Sequence, residues 1–390
     1  MNAQIYVHGI IHSPAEPYAT ALVLDSGTIT WLGADDTAQR IVEGGAQPVD
    51  LDGAVVTPLF VDPLERVADA ATARTPGQAL QRGIGATAQL WPTGHDAPAP
   101  DAAEADSPAP DTTAGVDLDA AQHISRYAPA ASPEQLDRLL AAPAPTADHC
   151  GVWLKLSAWE PGALRTAVLA ATQAGVQLYL VDPAGPQAEQ GSGLDDVVAA
   201  VQAAREAGAP LLRARHRVQI TGPVSDAQRA VLRDTACSAT VLMDPHASAE
   251  DAPALGTLIA DGVPVSLGGA PENPWAACQW ALQHPRAQEQ ISARAAFAAM
   301  TRAPVRALPA AAAVPLAVSA RIAVNEPAHL ALWNADAVSV QSPDSRVSAW
   351  STDARAGTPL LPDLSADTPL PRLRTSLIQG IEPHGTNQPA

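Results

Sequence analysis

Hydrophobic and polar positions follow two different periods along the chain. Up to about residue 57 the apolar runs are short: Ile5-Tyr6-Val7, Ala21-Leu22-Val23-Leu24, Thr28-Ile29-Thr30-Trp31-Leu32 and Val49-Asp50-Leu51. Turn residues separate them (His8-Gly9, Asp25-Ser26-Gly27, Gly33, Gly44-Gly45, Asp52-Gly53), so this part reads as strands and turns. Asp25-Ser26-Gly27 between two apolar runs predicts a hairpin. After a Thr57-Pro58 break, Leu59-Phe60-Val61-Asp62 reads as a further short strand, and from there strand-like runs alternate with helical stretches. Val152–Leu156 is followed by a helix over Pro161–Ala174, a closing Gly175, a strand to Val181, a helix over Leu194–Ala207 and a closing Gly208. Strands at Arg217–Ile220, Ala239–Met243 and Val263–Leu267 then alternate with helices at Asp226–Asp234, Ala252–Ala260 and Pro274–Gln283. A last helix spans Ser292–Thr301 with Ser292 as its N-cap. After about Val314 strand character returns at Ile322–Val324, His329–Trp333 and Ala337–Val340.

Repeated strand–helix units predict a parallel sheet, and about 250 residues of them suit a (β/α)8 barrel. The expected fold class is therefore α/β: a TIM-like barrel over 58–313, with a small composite β-sandwich built from both termini, 1–57 and 314–390. Residues 92–122 form an acidic Ala/Pro/Asp insert (APAPDAAEADSPAPDTTAG) with little to bury, read as a solvated loop within the barrel.

Charge and cysteine content narrow the function classes. A formal net charge of -18 argues against nucleic acid and anionic membranes as partners. No apolar run is long enough to span a bilayer, and the N-terminus shows no secretory signal. Cys150, Cys237 and Cys278 are far apart and odd in number, which fits reduced thiols in a cytoplasmic protein. No P-loop, dinucleotide-binding fingerprint, G-x-S-x-G, H-x-H or H-E-x-x-H occurs.

Several stretches together resemble the amidohydrolase superfamily, in its branch of N-substituted formamide deformylases and imidazolonepropionase relatives. They are Asp50–Arg66 as entry strand, RGIGATAQL (Arg82–Leu90), ARHRVQI (Ala214–Ile220), VPVSLGGAPENPW (Val263–Trp275), ISARAAFAAMTRAPVRAL (Ile291–Leu308) and EPAHLALWN (Glu326–Asn334). The resemblance implies a metal-dependent hydrolase of non-peptide C–N bonds using zinc or another divalent cation, and a homodimer. The family's ligand positions are replaced, however. The first-strand His-x-His falls on Leu64 and Arg66, the fifth-strand His on Val181, the sixth-strand His on Ile220 beside Gln219, and the eighth-strand Asp on Gly269. Leu, Val, Ile and Gly cannot ligate, and an arginine adds positive charge where a cation would sit. No metal cofactor is therefore expected.

Lys155 sits where the resemblance places a fourth-strand lysine, and strand alternation turns Trp153, Lys155 and Ser157 into the barrel. Asp62, Asp182, Asp244 and Glu272 lie at or just past predicted strand ends, and His246 follows the seventh strand. The residues leave three readings open for the mouth. Lys155 or Arg66 forms a salt bridge with Asp62 or Asp182 that fills the former metal volume; Lys155 serves a ligand pocket; or Lys155 is a metal-free catalytic amine. The expected function is a degenerate amidohydrolase with a ligand-binding, scaffolding or regulatory role. The alternatives are an active C–N hydrolase in which Asp62, Asp182, Asp244 and His246 converge, and a structural subunit whose mouth is plugged.

Overall fold

Eight short runs pair side by side as parallel strands. In the computed structural model, which describes residues 3–41, 48–68, 73–92, 123–141, 149–182, 192–270, 272–309, 320–341, 350–351 and 359–382, they form one eight-stranded sheet. In chain order the strands are Phe60–Arg66, Ile84–Leu90, His123–Pro129, His149–Lys155, Gln177–Val181, Arg217–Ile220, Ser238–Leu242 and Val265–Gly268. Val152, Leu154, Leu178, Leu180, Val218, Ile220, Ala239, Val241, Val265 and Leu267 face outward and merge with the helices in the main core. The acidic insert expected at 92–122 lies outside the described residues except for Pro92.

The local chemistry accounts for the helices between the strands. Ser225 accepts from the Gln228 N–H while the Gln228 side chain returns to the Ser225 N–H, a capping box that starts the helix Asp226–Asp234. Gly175 closes Pro161–Ala174 in the left-handed region, with φ 71°. Ser292 caps Ala293–Met300 by accepting from the Ala295 N–H.

The first barrel strand runs on through a proline. Asp62 pairs with Thr87 and Glu65 with Gln89, so Pro63 and Leu64 together oppose Ala88 in a bulge. Pro63 has no N–H to give a ladder, and it sits where none is formed: the eighth and first strands lie side by side without pairing. That seam is close because Gly268 lacks a side chain; a Cβ there would lie 2.6 Å from Pro63 Cδ. Gly268→Ala should force the seam apart and lower stability by about 2 kcal/mol. A shift of the denaturant midpoint checks this, and an unchanged midpoint would show that the seam yields.

Strands from both chain ends build two further four-stranded sheets. In one, Leu330–Asn334 runs antiparallel to Val55–Pro58 and to Arg372–Leu377, so the C-terminal part completes what the N-terminal part begins. Tyr6, Leu22, Leu24, Ile29, Val56, Leu330 and Leu332 fill the space between the sheets. The hairpin expected at Ser26-Gly27 is present, with φ 50° and 79° as the two-residue turn requires. Trp333 joins this β-region to the barrel: its Nε1 donates to Thr57 Oγ1 at 3.0 Å, and its ring meets Phe60 and Trp275 edge-on.

Candidate active site at the barrel mouth

The C-terminal ends of strands one to five surround a cavity of about 470 Å³. This is the face on which barrel loops build functional sites. Val67, Leu90, Trp153 and Val181 give it apolar walls, and Arg66, Lys155 and Asp182 supply its charges. Among the described residues the mouth is open, not filled by side chains.

Arg66 ends the first strand and reaches across the mouth. Its Nη2 donates to the main-chain carbonyl of Asp182 at 2.7 Å and to Gln219 Oε1 at 2.8 Å, tying together strands one, five and six. Partial burial pulls the guanidinium pKa down, while Tyr179 and Asp182 oppose that shift. Burial raises the Asp182 carboxyl, and Arg66 pulls it back. Trp153 Nε1 donates to the Trp91 carbonyl at 2.7 Å, which spends its only donor and leaves the indole as an apolar surface.

A polar layer closes the barrel below the mouth. Arg217 is 1% exposed, and its Nη2 donates to the Pro63 carbonyl at 3.0 Å and to Thr240 Oγ1 at 3.2 Å. Its guanidinium carbon lies 4.3 Å from the centre of the Tyr179 ring. Tyr179 Oη also donates to the Pro63 carbonyl, at 3.1 Å, and Tyr127 Oη donates to Gln177 Oε1 at 2.5 Å. No carboxylate pairs with Arg217 among the described residues, and its Nε has no partner there. Burial pushes both phenols above their ordinary range, so they are neutral near pH 7. The sequence reading missed Arg217. The signal was the alternation in Arg217-Val218-Gln219-Ile220, with both apolar residues on the helix side.

The structure brings only part of the expected constellation together. Lys155 and Asp182 share the mouth cavity. Asp62 lies at the strand one–eight seam and pairs with Arg74 at 3.2 Å, beside Glu65. Asp244 accepts from the His246 N–H at 2.9 Å in an exposed turn, and neither residue lines the cavity. Glu272 pairs with Arg82 at 3.1 Å on the outside of the barrel. The expected salt bridge of Lys155 or Arg66 with Asp62 or Asp182 is corrected accordingly. Arg74 takes Asp62, and Arg66 takes a carbonyl and an amide oxygen. Ile220 packs outward under the helices, so Gln219 holds the inward position on the sixth strand.

By sequence, the chain matches no protein-family model and no curated protein. By structure, it resembles N-isopropylammelide isopropylaminohydrolase from Burkholderia multivorans, with a TM-score of 0.63 and 15% identity over 98% of both chains. An amidohydrolase from a Sargasso Sea environmental sample aligns at TM-score 0.60 and 14% identity, over 97% of this chain and 92% of that one. The zinc complex of atrazine chlorohydrolase from Arthrobacter aurescens aligns at 0.59 and 12%, over 97% and 94%. The chain has the amidohydrolase fold.

The residues at the positions that the sequence resemblance assigns to metal ligands do not fit a metal ion. Leu64 and Val181 are apolar and buried, Ile220 faces away, and Gly269 has no side chain. Arg66 places a guanidinium among them. Among the described residues, no three His, Cys, Asp or Glu side chains come together where they could hold a metal.

Proposed function

We propose that this protein is a degenerate member of the amidohydrolase superfamily that binds a small organic molecule in the barrel mouth and does not hydrolyse it at a metal centre. The resemblance of its strand motifs to the formamide deformylase and imidazolonepropionase branch supports this reading. The observation that carries the reading is Arg66, anchored by Gln219 and the Asp182 carbonyl at the edge of an open, mainly apolar cavity. The rival, an active C–N hydrolase, draws on the names of the structural neighbours, such as isopropylaminohydrolase. It requires Asp62, Asp182, Asp244 and His246 to meet, and three of these four lie outside the cavity.

Two measurements on the purified full chain test the reading together. After equilibration with zinc and desalting, elemental analysis should find far less than one zinc per chain. A fragment screen read by thermal shift and ligand-observed NMR should find saturable binders that compete with one another. Stoichiometric zinc together with amide hydrolysis would overturn the proposal in favour of the rival.

A further inference from the structure

The charges in the mouth run against those of the chain. The protein carries 41 acidic and 23 basic side chains, yet the cavity is lined by two cations and one carboxylate. Lys155, the only lysine in the sequence, is one of the cations. Arg66 uses a single nitrogen, Nη2, for both of its hydrogen bonds. Among the described residues, its Nη1 and Nε and the Lys155 ammonium have no hydrogen-bond partner. The site therefore offers single guanidinium N–H donors and an ammonium in one cavity, cationic donors that suit an anionic group such as a carboxylate.

Two features narrow the ligand further. Asp182 lines the same cavity, so a second negative charge on the ligand is disfavoured; this favours a monoanion over a phosphate or a dicarboxylate. The rest of the wall, with Trp153, Leu90 and Val67, offers no strong donors, because the Trp153 N–H is already bound to the Trp91 carbonyl. A cavity of about 470 Å³ is in the range of small-molecule sites and far larger than a carboxylate alone needs.

We propose that the barrel mouth binds an organic monocarboxylate with an apolar body, the carboxylate held by Lys155 and Arg66 and the body lying against Trp153. This rests on the ligand-binding reading above and names its ligand class. The test uses three compounds on one scaffold, 3-phenylpropanoate, 3-phenylpropanamide and 3-phenylpropylamine, with inorganic phosphate as a fourth. Reductive ¹³C-dimethylation gives the single lysine its own NMR signal, apart from that of the N-terminus. 3-Phenylpropanoate should shift that signal saturably, and calorimetry should show the amide binding about tenfold more weakly or worse. The amine and phosphate should bind more weakly still. Lys155→Met and Arg66→Met should each weaken the acid about tenfold and the amide by much less, so that the preference for acid over amide shrinks. Equal affinity for acid and amide, or tighter binding of phosphate, would overturn the carboxylate assignment and leave the ligand-binding reading standing. Absence of binding by all three organic compounds, with the fragment screen also empty, would overturn both.

Discussion

Arg217→Ala is expected to lower the stability of the protein by about 4 kcal/mol, read as a lower denaturant midpoint with an unchanged slope. The side chain is buried at the centre of the barrel, where it spans the sixth strand, the Pro63 carbonyl on the first and Thr240 on the seventh. Truncation leaves a cavity, removes the cation from the face of Tyr179 and takes donors from Thr240 Oγ1 and the Pro63 carbonyl. The carbonyl keeps its bond from Tyr179 Oη, so the loss is not complete. Arg217→Met separates volume from charge. Since no carboxylate pairs with the guanidinium among the described residues, removing the charge also removes a desolvation cost that only its hydrogen bonds and the Tyr179 ring offset. The methionine variant should therefore stay within about 2 kcal/mol of the wild type. If it falls as far as the alanine variant, the hydrogen bonds of the guanidinium outweigh its burial cost, and the volume argument fails.

The same layer shows what the sequence could and could not reveal. Elements set by local chemistry were legible. The Ser225 capping box, the left-handed Gly175 and the Ser26-Gly27 turn each fix a boundary through nearby hydrogen bonds or backbone conformation. The short helix Asp35–Ile41 escaped notice among flanking turn residues, and the third barrel strand, His123–Pro129, carries a polar pattern that does not read as a strand. From local sequence the first barrel strand reads as Leu59–Asp62, and a proline follows. Tertiary structure overrides that signal, since the bulge sits on an edge where the missing N–H costs nothing. The bulge also sends Asp62 to the seam while Arg66 reaches the mouth, so the pairing of Asp62 with Arg74 depends on geometry that spacing alone does not encode. The assignment of ligand positions comes from the resemblance alone, and that Gln219 rather than Ile220 faces inward needed the sheet itself.

Asp62→Asn should reverse part of the pH dependence of stability. Asp62 is buried with Glu65 and a single guanidinium, that of Arg74, so two carboxylates share one cation. Burial raises the Asp62 carboxyl from 3.8 to about 6; Arg74 opposes the shift and Glu65 adds to it. A carboxyl raised in the folded state binds its proton more tightly there than in the unfolded chain. Between about pH 4 and pH 6 the folded protein thus holds the extra proton, and stability falls as pH rises through that window, then levels off. At about 1.4 kcal/mol per pH unit, the full span is worth about 3 kcal/mol. Asparagine cannot titrate. The stability of Asp62→Asn relative to the wild type should therefore rise by about 3 kcal/mol from pH 4 to pH 7.5, whatever the constant offset from losing the ion pair with Arg74. Guanidinium unfolding of both proteins across that range gives the difference directly. A flat difference would mean that Asp62 titrates at its ordinary value in the folded protein, burial and the ion pair with Arg74 cancelling, and a falling one would mean that the ion pair outweighs burial and Asp62 titrates below its ordinary range.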